Sequence, residues 1–110
     1  AMNDLLRPSL YGARHDVWNI KKGTGSPKNW NIVGPVCESS DFIRKDIVLS
    51  ADENDVLAVK TAGAYGFVMS SNYNSRTRAA EILIDKDVSH EIKTRESYDD
   101  LLDLEHVPND

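Results

Sequence analysis

The sequence predicts a mainly β fold, a small antiparallel β-barrel or sandwich with a few short helices. Three observations predict it. Strand-like runs are short and bounded by Gly, Pro, Asn and Asp. The capped helix starts lie at the two ends of the chain. The length of 110 residues fits one domain spanning residues 1–110, far below the roughly 250 residues of a (β/α)8 barrel.

Taken in order, residues 3–11 (Asn3-Asp4-Leu5-Leu6-Arg7-Pro8-Ser9-Leu10-Tyr11) carry a helix start. Asn3 or Asp4 can cap, and Pro8 suits a first helical position. Residues 16–21 alternate loosely and read as a strand, and residues 23–29 are loop by composition. Residues 30–36 resume strand character until Gly34-Pro35 interrupts it. Residues 42–49 are mixed in pattern and lead to a turn at Ala51-Asp52-Glu53-Asn54-Asp55. Residues 56–59 are a compact β-type run. Residues 63–74 read as a glycine-started turn followed by a short helical or irregular stretch. Residues 80–85 and 88–95 pair as a hairpin across Asp85-Lys86-Asp87. Ser97 and Asp100 form a capping box for a last helix running to about Glu105.

Composition excludes several classes. Hydrophobic residues make up 40% and charged residues 28%, as in an ordinary soluble domain. Net charge is −5, and Lys and Arg are scattered among acids, so no nucleic-acid partner is expected. No apolar run is long enough to span a bilayer, so no membrane partner is expected either. One cysteine cannot form an internal disulfide, and no signal-peptide pattern is visible, so a cytoplasmic location is expected. The opening Ala1-Met2-Asn3-Asp4 enters a dense, motif-like segment at once, as in a piece of a longer chain.

The chemistry-bearing candidates lie in three places. Cys37 sits in Gly34-Pro35-Val36-Cys37-Glu38-Ser39-Ser40-Asp41, beside a carboxylate in a turn-rich stretch. A protonated thiol can donate a proton to a carbanion-like centre, and a thiolate can act as a nucleophile. A lone cysteine is more often an inert buried residue, but these neighbours argue against a core position. Arg7 and Tyr11 are four apart, so a helix puts them on one face, where guanidinium and phenol can together hold a carboxylate. Spacing alone does not separate that from an Arg packed on a ring. Tyr65 lies in Gly63-Ala64-Tyr65-Gly66, where flanking glycines permit close backbone approach to a ligand. The alternative is a core tyrosine. Asn72-Tyr73-Asn74-Ser75-Arg76 is either a polar turn over a site or a plain loop. His15, His90 and His106 are far apart and read as solvated surface residues, so no metal site is expected. Glu96, Asp99, Asp100, Asp103 and Glu105 read as a solvated helix face.

These segments resemble the diaminopimelate decarboxylase family. Residues 2–11, the Gly34-Pro35-Val36-Cys37-Glu38-Ser39-Ser40-Asp41 stretch, residues 62–76 and the closing Glu96-Ser97-Tyr98-Asp99-Asp100-Leu101 look like that family's C-terminal hallmarks, and the likeness covers nearly the whole chain. The resemblance implies an alanine-racemase-like, pyridoxal 5'-phosphate-dependent carboxy-lyase. Such an enzyme has an N-terminal barrel and a C-terminal β domain, acts as a homodimer, and converts meso-diaminopimelate to L-lysine. By the family pattern Arg7 and Tyr11 hold the distal carboxylate. Glu38 binds the distal ammonium in the partner subunit's site, and Cys37 reprotonates the α-carbon. Tyr65 touches both cofactor and substrate. Ornithine and arginine decarboxylases share the Gly-Pro-x-Cys frame but follow the cysteine with Asp, so Glu38 favours diaminopimelate over that alternative. No lysine here matches the family's cofactor-linking lysine, so the 110 residues alone are expected to be inactive. A stand-alone β module that only binds or assembles is the other alternative.

Overall fold

The computed structural model describes residues 1–21 and 25–108. It falls into two compact units, Ala1–Ser70 and Ser71–Asp110.

The first unit begins with α1 (Arg7–Tyr11), where Pro8 is buried at the helix start. The cap differs from expectation. Leu6 is the N-cap and no side chain caps the helix. The expected cappers lie upstream of Leu6 and engage each other instead: the Asn3 amide donates to the Asp4 carboxylate at 3.4 Å. The helix stops at Gly12, whose N–H returns to the Pro8 carbonyl at 3.0 Å.

Four strands follow among the described residues of this unit. β1 (Val17–Asn19) pairs antiparallel with β4 (Leu57–Val59), with Trp18 opposite Ala58. β2 (Lys28–Val33) pairs antiparallel with β3 (Phe42–Leu49). β3 is the element that the mixed pattern of residues 42–49 hid. Its register against β2 slips between Trp30 and Ile32 and again between Ile32 and Val33. Such slips break strict alternation, which is the sequence signal for a strand. Asp46 lies in the first slip at φ 53, its N–H bonded to the Asn31 side-chain oxygen at 2.9 Å. Of the loop expected over residues 23–29, residues 23 and 24 lie outside the described residues, and Lys28 and Asn29 already belong to β2.

The core of this unit is small. Leu5, Pro8, Val17, Val36 and Ile43 are buried, together with the polar Asn3, His15 and Asp41. The turn at residues 52–55 is tied to β1 through Asp55. That carboxylate accepts from the Asp52 N–H at 2.9 Å and the Asn19 amide at 2.6 Å. These two bonds, the backbone one first, hold its carboxyl below the usual range.

The second unit contains a 3-10 turn (Tyr73–Ser75), the hairpin of β5 (Glu81–Asp85) and β6 (Val88–Lys93), and α2 (Tyr98–Leu102). The expected capping box of Ser97 and Asp100 is present, with both reciprocal bonds made. The helix ends at Leu102, short of the expected Glu105. None of the described residues of this unit is buried, and Ile82, Leu83, Ile84, Val88 and Ile92 are all exposed.

The predominance of antiparallel strands over short helices matches the predicted class. Barrel closure does not occur among the described residues, because the strands form three separate two-stranded ladders. Strands of three residues, as in β1 and β4, offer too few ladder bonds to recruit further neighbours. No described helix is long and apolar enough to cross a membrane.

Candidate functional site

Cys37 and Glu38 lie in the loop that connects β2 to β3. The loop is closed at its base by the Gly34 N–H donating to the Asp41 carbonyl at 3.0 Å. Within it the Asp41 N–H donates to the Glu38 carbonyl at 3.1 Å, and the Glu38 N–H to the Val36 carbonyl at 2.8 Å. The Asp41 carboxylate is buried inside the turn. One oxygen accepts from the Val36 N–H at 2.7 Å and the other from the Met2 N–H at 2.7 Å. Gly34 has a definite reason to be glycine: a Cβ there would fall inside the Asp41 carboxylate. With Val36 buried below, Cys37 and Glu38 are both exposed at the surface. The Ser40 hydroxyl donates to the Glu38 carboxylate at 3.1 Å. Cys37 is therefore exposed on a loop hydrogen-bonded from inside.

α1 supplies Arg7 and Tyr11 from one helical turn, as the four-residue spacing requires. Arg7 is half-buried and Tyr11 is 67% exposed. The helix is joined to the cysteine loop by the Ser9 hydroxyl, which donates to the Ser40 carbonyl.

Tyr65 sits on the turn that follows β4. It is 64% exposed, which removes the core reading. Its φ is 57°, and Thr61 at the other end of the turn also has φ 57°. A bulky residue in the left-handed region is uncommon and costs about 1–2 kcal/mol. Gly66 is buried and a Cβ there would fall on the Ala62 carbonyl, whereas a Cβ on Gly63 would meet nothing within 4 Å. The close approach that glycine permits is thus internal to the turn at Gly66.

His15 is the residue the sequence misplaced. It is 3% exposed rather than solvated. Its Nδ1 lies 3.0 Å from the Lys60 carbonyl. A carbonyl only accepts, so Nδ1 carries the proton and donates. Nε2 is buried without a partner among the described residues. The one signal available in the sequence is position: His15 stands between the helix segment and the first strand, where a chain reversal must be fastened. His90 and His106 are exposed, as expected.

The polar run at residues 72–76 is occupied internally. The Asn72 amide donates to Glu96 at 2.7 Å, and the Arg78 guanidinium donates to Asn72 at 2.8 Å and to Glu96 at 2.9 Å. The Arg78 N–H adds a bond to Glu96 at 2.7 Å, and the Arg78 carbonyl accepts from the Glu96 N–H at 3.1 Å. Backbone and side chain of Arg78, in that order, hold the Glu96 carboxyl below the usual carboxylate range. Glu96 is thus an engaged acid rather than part of a solvated face, while Asp99, Asp100, Asp103 and Glu105 are exposed, Asp100 also closing the capping box.

Arg7, Tyr11, Cys37, Glu38 and Tyr65 all belong to the first unit. Cavities of about 410 and 430 Å³ open among the described residues of that unit, and none of the five residues lines either. Arg7 and Tyr11 share α1, which Ser9 joins to the Cys37-Glu38 loop, while Tyr65 stands on a separate turn; Tyr11, Cys37, Glu38 and Tyr65 are exposed. Among the described residues no group of three or more His, Cys, Asp or Glu could hold a metal ion.

A family model described as "Pyridoxal-dependent decarboxylase, C-terminal sheet domain" matches residues 1–63. The chain belongs to that family. The sheet domain is 52% identical over 101 residues to a diaminopimelate decarboxylase of Pseudomonas aeruginosa, covering 92% of this chain and 24% of the relative. It is 48% identical over 107 residues to one of Vibrio cholerae, covering 97% and 26%. Among solved structures it is similar to the Helicobacter pylori diaminopimelate decarboxylase complexed with L-lysine, with a TM-score of 0.87 and 43% identity over 94% of this chain and 26% of that one. It is also similar to the M. jannaschii diaminopimelate decarboxylase in co-complex with L-lysine, with a TM-score of 0.92 and 41% identity over 97% and 25%. The chain therefore spans about a quarter of the length of the relatives it matches.

Proposed function

We propose that residues 1–110 are the C-terminal domain of a diaminopimelate decarboxylase, a pyridoxal 5'-phosphate-dependent carboxy-lyase that converts meso-diaminopimelate to L-lysine in the cytoplasm. The observation that carries this reading is the exposed, internally braced Cys37-Glu38 pair in a chain about half identical to enzymes of that name over most of its length. The exposed apolar face of the β5–β6 hairpin supports a domain that is covered elsewhere in a larger assembly.

The residues present fit the cofactor in a supporting role. Tyr65 projects a phenol from a left-handed turn, an arrangement that suits contact with a bound group rather than packing. The cofactor, when bound, supplies the electron sink for loss of carbon dioxide. What remains for this chain is recognition and proton placement. Arg7 and Tyr11 hold the distal carboxylate, the guanidinium through parallel N–H donors and the phenol through a further one. Glu38 offers a carboxylate to the distal ammonium, a charge that would be costly to bury alone. Cys37 delivers a proton from Sγ to the α-carbon. In a homodimer the outward-facing Cys37 loop completes the partner subunit's site.

The test joins this domain to a cofactor-binding barrel of the family and follows lysine formation. Wild type should turn over meso-diaminopimelate in preference to ornithine or arginine. Cys37→Ala should lower kcat by about a hundredfold or more, the usual weight of a positioned acid. Preference for ornithine or arginine would reassign the substrate, and full turnover by Cys37→Ala would remove the thiol from the chemistry.

A further inference from the structure

Lys60 is the residue from which the Tyr65 turn departs, and it is fastened in three ways. Its N–H donates to the Asp16 carbonyl at 2.8 Å, which adds one rung beyond the β1–β4 ladder. Its ammonium lies 3.6 Å from the centre of the Trp18 ring. Its carbonyl accepts from His15 Nδ1 at 3.0 Å. The first two anchors fix the strand side of Lys60. The carbonyl belongs to the peptide plane it shares with Thr61, the residue that enters the turn at φ 57°. Rotating that plane would redirect everything from Thr61 to Gly66, so the His15 bond selects the turn's course.

The other face of the imidazole gives nothing back, since Nε2 is buried with no partner among the described residues. An apolar side chain of similar volume would avoid that orphaned atom. The ring's polar contribution in this unit is therefore concentrated in the bond to Lys60. We infer that His15 is a positioning residue for Tyr65, acting through the Lys60 carbonyl to hold the Thr61-to-Gly66 turn in the conformation that presents the phenol. The inference rests on the proposed role of Tyr65 at the cofactor and substrate.

Two near-isosteric amides separate this role from simple filling of space. Asparagine can place an N–H where Nδ1 sits, whereas glutamine reaches to the Nε2 position and leaves the Lys60 carbonyl without its donor. In the holoenzyme, His15→Asn should keep amide hydrogen exchange in residues 61–66 close to wild type. His15→Gln should speed that exchange by about tenfold, the worth of one hydrogen bond. The cofactor's absorbance and circular dichroism should follow the same order, and kcat should fall in His15→Gln but not in His15→Asn. Loss of the His15→Gln effect when Tyr65 is already Phe would mark the two residues as one unit. Equal exchange and equal spectra for the two amide variants, whether both like wild type or both impaired, would overturn the inference. A wild-type holoenzyme that forms no lysine would sink the proposed function instead, while the exchange comparison would still decide the role of His15.

Discussion

The Asp41 carboxylate accepts the Val36 N–H at 2.7 Å, and this bond sets how the cysteine loop is held. It lies on the interior side of the loop, one residue before the exposed thiol. The same carboxylate takes the Met2 N–H at 2.7 Å, so the loop is tied to the segment that leads into α1. Two pieces of the chain that lead to candidate site residues thus share one buried acid.

Asp41→Ala should therefore be strongly destabilising. It orphans two backbone donors, each at a cost of about 1–3 kcal/mol when buried. Asp41→Asn keeps one good acceptor and should fall between wild type and Ala. Urea unfolding midpoints give the order directly, and equal midpoints for Ala and wild type would show that the clamp is idle.

Gly34→Ala should disrupt the same loop from the other side. The added methyl would occupy the place of the Asp41 carboxylate, so backbone or acid must move. The expected result is faster hydrogen exchange at Val36 and Glu38, with kcat reduced alongside stability. An Ala variant with an unchanged exchange profile would contradict the packing described.

In the proposed decarboxylase, Glu38→Ala should cost about 30-fold or more in kcat/KM for meso-diaminopimelate, the usual effect of removing one partner of a charge pair desolvated on binding. The loss should be smaller for an analogue lacking the distal amine. Similar losses on both compounds would move Glu38 away from the ammonium.

Tyr65→Asn should separate stability from function. Asn enters the left-handed region more readily than Tyr, so the change should relieve backbone strain of about 1 kcal/mol. Thermal unfolding should shift upward or stay level while lysine formation falls. A clear loss of stability would mean that the ring packs rather than reaches out.

Glu96 gives the second unit an acid sensitivity of known sign. Its carboxyl is held lower in the folded chain than its ordinary value of 4.5, first by the Arg78 N–H and then by the Arg78 side chain. The folded state thus prefers the ionised form. That contribution is complete above the ordinary value and is lost as pH falls through the lowered one. Hydrogen exchange at residue 78 should accelerate as pH drops below about 4.5 after correction for intrinsic rates, and Glu96→Gln should flatten this dependence.

Much of this protein was legible in its residues. Ser97 and Asp100 announce a capping box three apart, and the structure makes both bonds. The β5–β6 hairpin follows from two β-type runs across Asp85-Lys86-Asp87. Pro8 marks the start of α1, and the cysteine loop is readable from Gly34-Pro35 and its acids. These signals are local, so sequence spacing carries them. β3 was obscured because its bulges break the alternation that identifies a strand.

By itself the sequence determined the class of fold, the family resemblance and the identity of the chemical groups on offer. Only the tertiary structure decided that Asp41 is the buried clamp of the Cys37 loop, that His15 is interior, and that Tyr65 stands on a left-handed turn. The reason is separation along the chain. His15 meets Lys60, 45 residues away, and Asp41 meets Met2, 39 away. No local propensity encodes such contacts. They arise when packing removes water and a buried donor left without an acceptor is costly.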